Sequence, residues 1–151
     1  MDSKNDFETL KNDLQGQAWT YSQKTGDLEQ DGTHVATGYS GSKDGKNNPD
    51  LQDVRDVGPI PQGDWTITGP PFNTEDHGPY VLRLNPVAGT ETFGRGGFLI
   101  HGDSKEHLGC ASEGCVILPR PVREQVWTSG DRDLKVVAEI LSPAIAERAK
   151  E

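Results

Sequence analysis

Short apolar runs, separated by many glycines and prolines, constrain the fold more than any other feature of this sequence. The chain contains 18 glycines and 10 prolines in 151 residues, so regular structure is interrupted every few residues. Between the interruptions, Trp19 and Tyr21 alternate with polar residues, as do several later runs. This pattern predicts a mainly β, turn-rich domain, with an antiparallel sheet of which one face is solvated.

Helices are expected in three places around this sheet. In residues 1–16, the spacing of Phe7, Leu10 and Leu14 is that of one helix face, which predicts an N-terminal arm or short helix, although a frayed tail explains the same residues. Prolines after Leu118, followed by Gly130, predict one short helix. A polar tail from residue 142 is expected to be helical. Residues 17–151 are therefore predicted to form one domain.

Three segments between the strands are expected to be irregular. Residues 40–56 are rich in glycine, lysine, asparagine and aspartate, which predicts a loop that either covers a cleft or is simply solvated. Pro59 and Pro61 predict a rigid turn. Residues 70–79 begin with two prolines, contain His77, and are predicted to be a second long loop.

The charge of the chain excludes several classes of partner. With 15 basic and 24 acidic residues, the net charge is −9 and the pI is about 4.8, which argues against nucleic acid and anionic membrane surfaces. No apolar run approaches the ~20 residues of a membrane span. The first residues lack the basic and apolar regions of a signal peptide. We therefore expect a soluble chain with no Sec-type export signal.

His101 and Cys115 are the best candidates for a base and a nucleophile. An apolar run leads into His101 and another leads out of Cys115, so two neighbouring strands are expected to present both side chains at one sheet end. A free thiol with a pKa of about 8.5 attacks poorly unless an imidazole takes its proton. Gly102 and Gly114 leave room for a substrate backbone, and the amides of Gly114 and Cys115 are expected to face an oxyanion.

Three other interpretations of the same residues remain open. Cys115 could be an inert core thiol, or it could form a disulfide with Cys110. A zinc site is the third, but the spacings of the histidines, cysteines and Asp103 in residues 101–115 match no common zinc motif. No metal and no cofactor are expected.

Four short motifs, in a fixed order, give the sequence a family resemblance. They are Ala36-Thr-Gly38, Gly58-Pro-Ile-Pro-x-Gly63, Ile100-His-Gly102 and Ser112-x-Gly-Cys115. Together they resemble the YkuD-like L,D-transpeptidase catalytic domain over residues 19–141, and most closely the branch used as type VI secretion effectors. The resemblance implies an antiparallel β-sandwich or barrel-like fold with one short helix after the nucleophile strand.

The resemblance also assigns roles to individual residues. It implies that Cys115 is the nucleophile, that His101 is the base, and that the Gly102 carbonyl orients the imidazole. Ser112 would support the loop or line the pocket. Glu113 replaces a usual histidine and is expected to raise the pKa of the thiol.

A second departure concerns the recognition of the substrate carboxylate. Ile117 stands where many members have an arginine. Another cation must then bind this carboxylate, and the candidates are Arg83, Arg95, Arg120 and Arg123.

The implied reaction is attack on the peptidoglycan tetrapeptide stem, at the amide between meso-diaminopimelate and the terminal D-alanine. Water would then give L,D-carboxypeptidase activity, whereas an amine would give L,D-transpeptidase activity or D-amino-acid exchange. The implied partners are an immunity protein and a component of the secretion apparatus, with delivery into the periplasm of a target bacterium. Two alternatives remain: another cysteine peptidase or amidase of the cell wall, and a non-catalytic wall-binding module.

Overall fold

A computed structural model of the chain describes residues 19–107, 109 and 112–140. These residues form nine strands in one sheet, which confirms the prediction of a mainly β fold. The predicted N-terminal arm and the predicted C-terminal helix lie outside the described residues. The strands are Trp19–Ser22 (β1), Asp27–Gln30 (β2), Thr33–Thr37 (β3), Tyr39–Ser40 (β4), Gly63–Thr74 (β5), Gly78–Pro86 (β6), Leu99–His101 (β7), Val116–Ile117 (β8) and Asp133–Val137 (β9).

The sheet curls until its two edges almost meet. Its strand order is β3-β2-β1-β9-β5-β6-β7-β8-β4, so the edge strands β3 and β4 are consecutive in the chain and only Gly38 separates them. The Gly38 amide donates to the Gly26 carbonyl at 2.8 Å. A Cβ at position 38 would lie 1.9 Å from the Ile117 carbonyl oxygen, so only glycine allows this close approach. The arrangement agrees with the predicted sandwich-like fold.

One hydrophobic core fills the inside of the curled sheet. Leu28 of β2 and Val116 of β8, which lie near opposite ends of the strand order, line the same small internal space. The predicted helix is present as Arg120–Thr128 (α1), and it begins with a proline in its first turn. Its Val126 is 1% exposed and packs in this core, and Val122 and Trp127 pack against it. The helix thus fixes the end of β8 against the sheet.

The sheet is mixed rather than purely antiparallel. β1 pairs with β9 in parallel, and β7 pairs with β8 in parallel. Periodicity along one strand predicts that strand's exposed face but does not report the direction of its neighbour. The parallel pairing of β7 and β8 is the part that matters here, because these strands carry or adjoin His101 and Cys115.

One of the predicted loops was also wrong. The predicted loop 70–79 is largely strand, because β5 continues to Thr74 and β6 begins at Gly78. The register between these strands shifts between Thr68 and Phe72, and such an irregularity accommodates the two prolines. Residues 40–56 are irregular as predicted, with two short 3-10 helices, Lys43–Gly45 and Pro49–Leu51. Among the described residues, no helix has the length and apolar character needed to cross a membrane.

Candidate active site

His101 and Cys115 lie on the same large cleft, which has a volume of about 1340 Å³. Parallel pairing places Ile117 opposite His101. Because side chains alternate along a strand, Cys115, two residues before Ile117, faces the same side as His101. The cleft is also lined by the turn between β5 and β6, the segment before β7 and the start of α1, including His77, Arg95, Gly97, Gly102, Glu113, Gly114, Arg120 and Arg123.

His101 is held in one tautomer by its neighbour. It is the last residue of β7 and is 1% exposed. Its Nδ1 lies 2.8 Å from the Gly102 carbonyl oxygen, and since a carbonyl only accepts, Nδ1 carries the proton. Nε2 therefore has the lone pair, and it is buried with no hydrogen-bond partner among the residues that the structure describes. The Gly102 carbonyl thus occupies the position that the resemblance implied.

The environment keeps this imidazole neutral. Burial is the main cause that lowers the pKa of His101 to about 4, and the nearby His77 and Arg123 act in the same direction. The Gly102 carbonyl and Asp103 oppose the shift. Above about pH 4 the ring can therefore accept a proton at Nε2, as a general base must.

Cys115 is a free thiol in the residue before β8. Its Sγ donates to the Gly97 carbonyl oxygen at 3.8 Å, so in this structure the thiol is hydrogen-bonded to Gly97 and not to the buried Nε2 of His101. Hydrogen bonds between catalytic groups are often absent without substrate and form when it binds. Cys110, the partner considered for a disulfide, lies outside the described residues.

The Cys115 thiol is protonated at rest. Burial raises its pKa to about 11, and the negative charge of Glu113 adds to this shift, as expected from the sequence. The backbone amide of Leu99 and the charge of Arg95 act in the opposite direction, since both stabilise a thiolate. Formation of the nucleophile therefore requires a base nearby.

Ser112 supports the nucleophile loop, residues 112–115, from inside. It is fully buried, and its Oγ accepts from the Gly41 amide at 2.9 Å and the Gly114 amide at 3.1 Å while donating to the Cys115 carbonyl at 2.6 Å. Its hydroxyl is thus fully engaged, and it does not lie among the cleft-lining residues. The prediction that it contacts substrate does not fit this position.

The hydrogen bond between the Gly114 amide and Ser112 also requires a correction to the predicted oxyanion site. The Gly114 amide donates to Ser112 Oγ and is not directed at a substrate oxygen. Of the two predicted amides, that of Cys115 itself remains the candidate. Gly114 is required for another reason, because its φ is +131° and a Cβ there would lie 2.4 Å from Arg95 Nη2.

Arg95 holds the nucleophile loop to the proline turn. It is 7% exposed, and its guanidinium donates to the carbonyls of Gln52, Gly58, Pro59 and Glu113. Sequence reasoning placed Arg95 among the substrate-binding candidates, but its Nη1 and Nη2 protons are used within the protein. Its positive charge remains close enough to act on Cys115.

The other candidate arginines occupy different environments. Arg123 is 3% exposed and donates to the carbonyls of Pro79, Tyr80 and Leu118. Arg83 lies over the Phe72 ring at 4.2 Å and is not on the cleft. Arg120 is exposed on the cleft and donates through Nε to Glu124 at 3.0 Å. Its Nη atoms make no hydrogen bond within the described part of the chain, so Arg120 is the best placed of the four to meet a carboxylate.

His77 is a cleft residue that sequence reasoning did not select. Its ring centroid lies 4.4 Å from that of His101, with the two planes inclined by 35°. The sequence shows only a histidine near two prolines, and the contact depends on the β5–β6 turn meeting the end of β7. Among the described residues, no three histidine, cysteine or acidic side chains are grouped to bind a metal ion.

Comparison with known proteins gives one match. The sequence model of the Tlde1 domain matches residues 34–139, which include both His101 and Cys115. No curated protein and no solved structure matches the chain significantly. The wider YkuD-like assignment thus depends on the order of the motifs alone. The match covers well over half of the chain, and the chain therefore belongs to the Tlde1 domain family of type VI secretion effectors that modify peptidoglycan.

Proposed function

We propose that this chain is a cysteine L,D-carboxypeptidase or L,D-transpeptidase that acts on peptidoglycan tetrapeptide stems. The observation that carries the proposal is the tautomer of His101. Its Nδ1 is bound to the Gly102 carbonyl, and the free Nε2 is buried at the cleft that Cys115 also lines. This is the arrangement that a thiol of raised pKa needs for activation.

In the proposed first step, the thiol proton moves to His101 Nε2 and Sγ attacks the carbonyl carbon of diaminopimelate. The thiol must first turn away from the Gly97 carbonyl, to which it is bonded at rest. Leu99 and Arg95 stabilise negative charge on the sulfur. The carbonyl π electrons move to oxygen, and in this proposal the Cys115 amide donates to this oxyanion.

In the second step the carbon–nitrogen bond breaks and D-alanine leaves. Its nitrogen takes the proton held by His101, and a thioester to Cys115 remains. Water, deprotonated by His101, then releases the shortened stem, whereas an amine acceptor forms a new amide. Apart from the stem and the water or amine acceptor, these steps use only groups of this chain.

The test is release of D-alanine from a purified tetrapeptide stem, followed by mass spectrometry. We expect wild type to release it and Cys115→Ala and His101→Ala to lose at least about 10³-fold in rate. His34→Ala is the matched control, because His34 is exposed on β3 away from the cleft. Full activity of Cys115→Ala would refute the mechanism, and fragments cut at another bond would assign a different peptidase or amidase.

We also propose a site of action for the enzyme and two protein partners. Membership in an effector family fits delivery into the periplasm of a target bacterium, where the stem peptides lie. A producing cell then needs an immunity protein, and a basic face on it would complement the net charge of −9. A component of the secretion apparatus is the other partner that this delivery requires.

A further inference from the structure

The turn between β5 and β6 brings a second imidazole onto the proposed base. The centroids of the His77 and His101 rings lie 4.4 Å apart and the ring planes are inclined by 35°, so the two rings are in close, tilted contact at slightly less than the roughly 4.5–7 Å usual for aromatic pairs. Both rings line the cleft. Within the described part of the chain, the His101 ring makes one hydrogen bond, through Nδ1 to Gly102. That bond fixes the position of one ring atom but still allows the ring plane to tilt.

The backbone around His77 is held in place from two sides. The His77 amide donates to Thr74 Oγ1 at 2.7 Å, within the turn itself. On the other side of Gly78, Arg123 of α1 donates to the carbonyls of Pro79 and Tyr80. His77 is therefore presented on a braced turn rather than on a free loop, although its own ring is only half-buried.

We propose that His77 is a positioning residue for the general base, and that its ring stacks on His101 to fix the plane in which Nε2 meets the Cys115 sulfur. The proposal rests on the proposed function of His101. It also explains how the site works without the histidine that Glu113 replaces, since an imidazole from a different element lies beside the base. His77 does not exchange protons with the substrate in this role.

His77 also influences the ionisation of the base. Electrostatic interaction with His77 is one of the causes that lower the pKa of His101, after burial. Other charged groups act at the same place and must be considered in any pH experiment. They are Glu75 and Asp76 on the turn, Asp103 after β7, and Arg120 and Arg123 on α1.

The test compares His77→Ala with His77→Phe, which restores an aromatic ring but not the imidazole. We expect kcat for D-alanine release to fall about three- to tenfold in His77→Ala with KM unchanged, and to recover most of the loss in His77→Phe. A contact that only stabilised the fold would lower the fraction of active enzyme, so kcat is calculated per folded molecule, with the folded fraction measured by circular dichroism. His34→Ala, on the exposed face of β3, should behave as wild type.

A second measurement needs no substrate and separates this inference from the proposed function. The pH titration of the His101 ring, followed by NMR, should move toward the ordinary histidine range in His77→Ala, because the ring becomes hydrated, and should move less in His77→Phe. If wild type releases D-alanine through Cys115 but His77→Ala leaves both kcat and the His101 titration unchanged, the positioning role is wrong. If Cys115→Ala is fully active, the proposed function fails, whereas the His101 titration still tests the stack.

Discussion

The part of the cleft that carries Cys115 is held by buried hydrogen bonds, whereas the part formed by the β5–β6 turn and the start of α1 presents exposed charges. In the first, Ser112 and Arg95 have their polar atoms bonded to backbone groups. In the second, Glu75, Asp76 and Arg120 are exposed. We call these the nucleophile wall and the charged wall. The difference predicts that substitutions in the nucleophile wall change folding and thiol chemistry, while substitutions of the exposed charges in the charged wall change substrate affinity.

The largest effect is expected for Arg95→Met on the nucleophile wall. This change removes a buried cation and leaves the carbonyls of Gln52, Gly58, Pro59 and Glu113 without their donor. Hydrogen bonds from charged groups contribute about 1.5–3 kcal/mol each, and we expect the free energy of unfolding to fall by about 3 kcal/mol or more. Denaturant titration measures it.

Arg83→Met is the matched control for this experiment. Arg83 is exposed and lies over Phe72, and such surface changes are usually within about 0.5 kcal/mol. Equal losses in the two variants would show that the nucleophile wall is not held through Arg95.

The pH dependence of the free energy of unfolding should report that His101 is buried as a neutral imidazole. Its pKa of about 4 in the folded protein lies below the ordinary 6.5, so between these values the unfolded chain binds more protons. The free energy of unfolding therefore falls as the pH is lowered from about 6.5 to 4, by up to about 3 kcal/mol from this group. In His101→Gln this component should be absent, and denaturant titrations between pH 4 and 7 compare the two slopes.

Two carboxylates, Asp27 and Asp103, provide an internal reference for the comparison of wild type with His101→Gln. Hydrogen bonds from Thr37 to Asp27 and from Tyr39 to Asp103 help to lower the pKa values of these two acids. They contribute stability that is lost at still lower pH in both variants. Parallel curves for wild type and His101→Gln would contradict the burial of a neutral imidazole.

The range of the contacts decides how far the sequence predicted the residues of the two walls. Cys115 and His101 were predicted as a pair from the apolar runs beside them, and the role of the Gly102 carbonyl came from the family resemblance. Arg95 was predicted to bind substrate and His77 was not selected, since their contacts reach residues 18 to 43 positions away in the chain and a ring on another element. The mainly β content and the helix α1 could be predicted from the local sequence pattern. The parallel pairing of β7 with β8 could not, because it depends on how the chain passes from one strand to the other.

On the charged wall, Arg120→Ala should weaken substrate binding without changing the fold. A charged hydrogen bond to a substrate carboxylate is worth about 1.5 kcal/mol at the low end, so we expect KM to rise about tenfold with kcat little changed. Steady-state kinetics on the tetrapeptide stem measure this split. Arg83→Ala, outside the cleft, should leave KM as it is, and an equal rise in both variants would remove Arg120 from substrate recognition.

The smallest effect is expected for Glu113→Gln, whose side chain is exposed although its backbone belongs to the nucleophile wall. Glu113 raises the pKa of Cys115, which is about 11, so removal of its charge favours the thiolate at any lower pH. Exposed charge pairs contribute about 0.2–1 kcal/mol, which corresponds to roughly 1.4- to fivefold faster alkylation of Cys115 by iodoacetamide at pH 8.

Glu106→Gln is the matched control for Glu113→Gln, because Glu106 is an exposed cleft carboxylate that does not act on the Cys115 thiol. Its alkylation rate should equal that of wild type when Cys115 labelling is followed by peptide mass. A slower rate in Glu113→Gln would mean that the carboxylate assists the thiol. Glu113 would then contribute to catalysis through its exposed carboxylate. The distinction between the nucleophile wall, with its buried hydrogen bonds, and the charged wall, with its exposed charges, would no longer hold at residue 113.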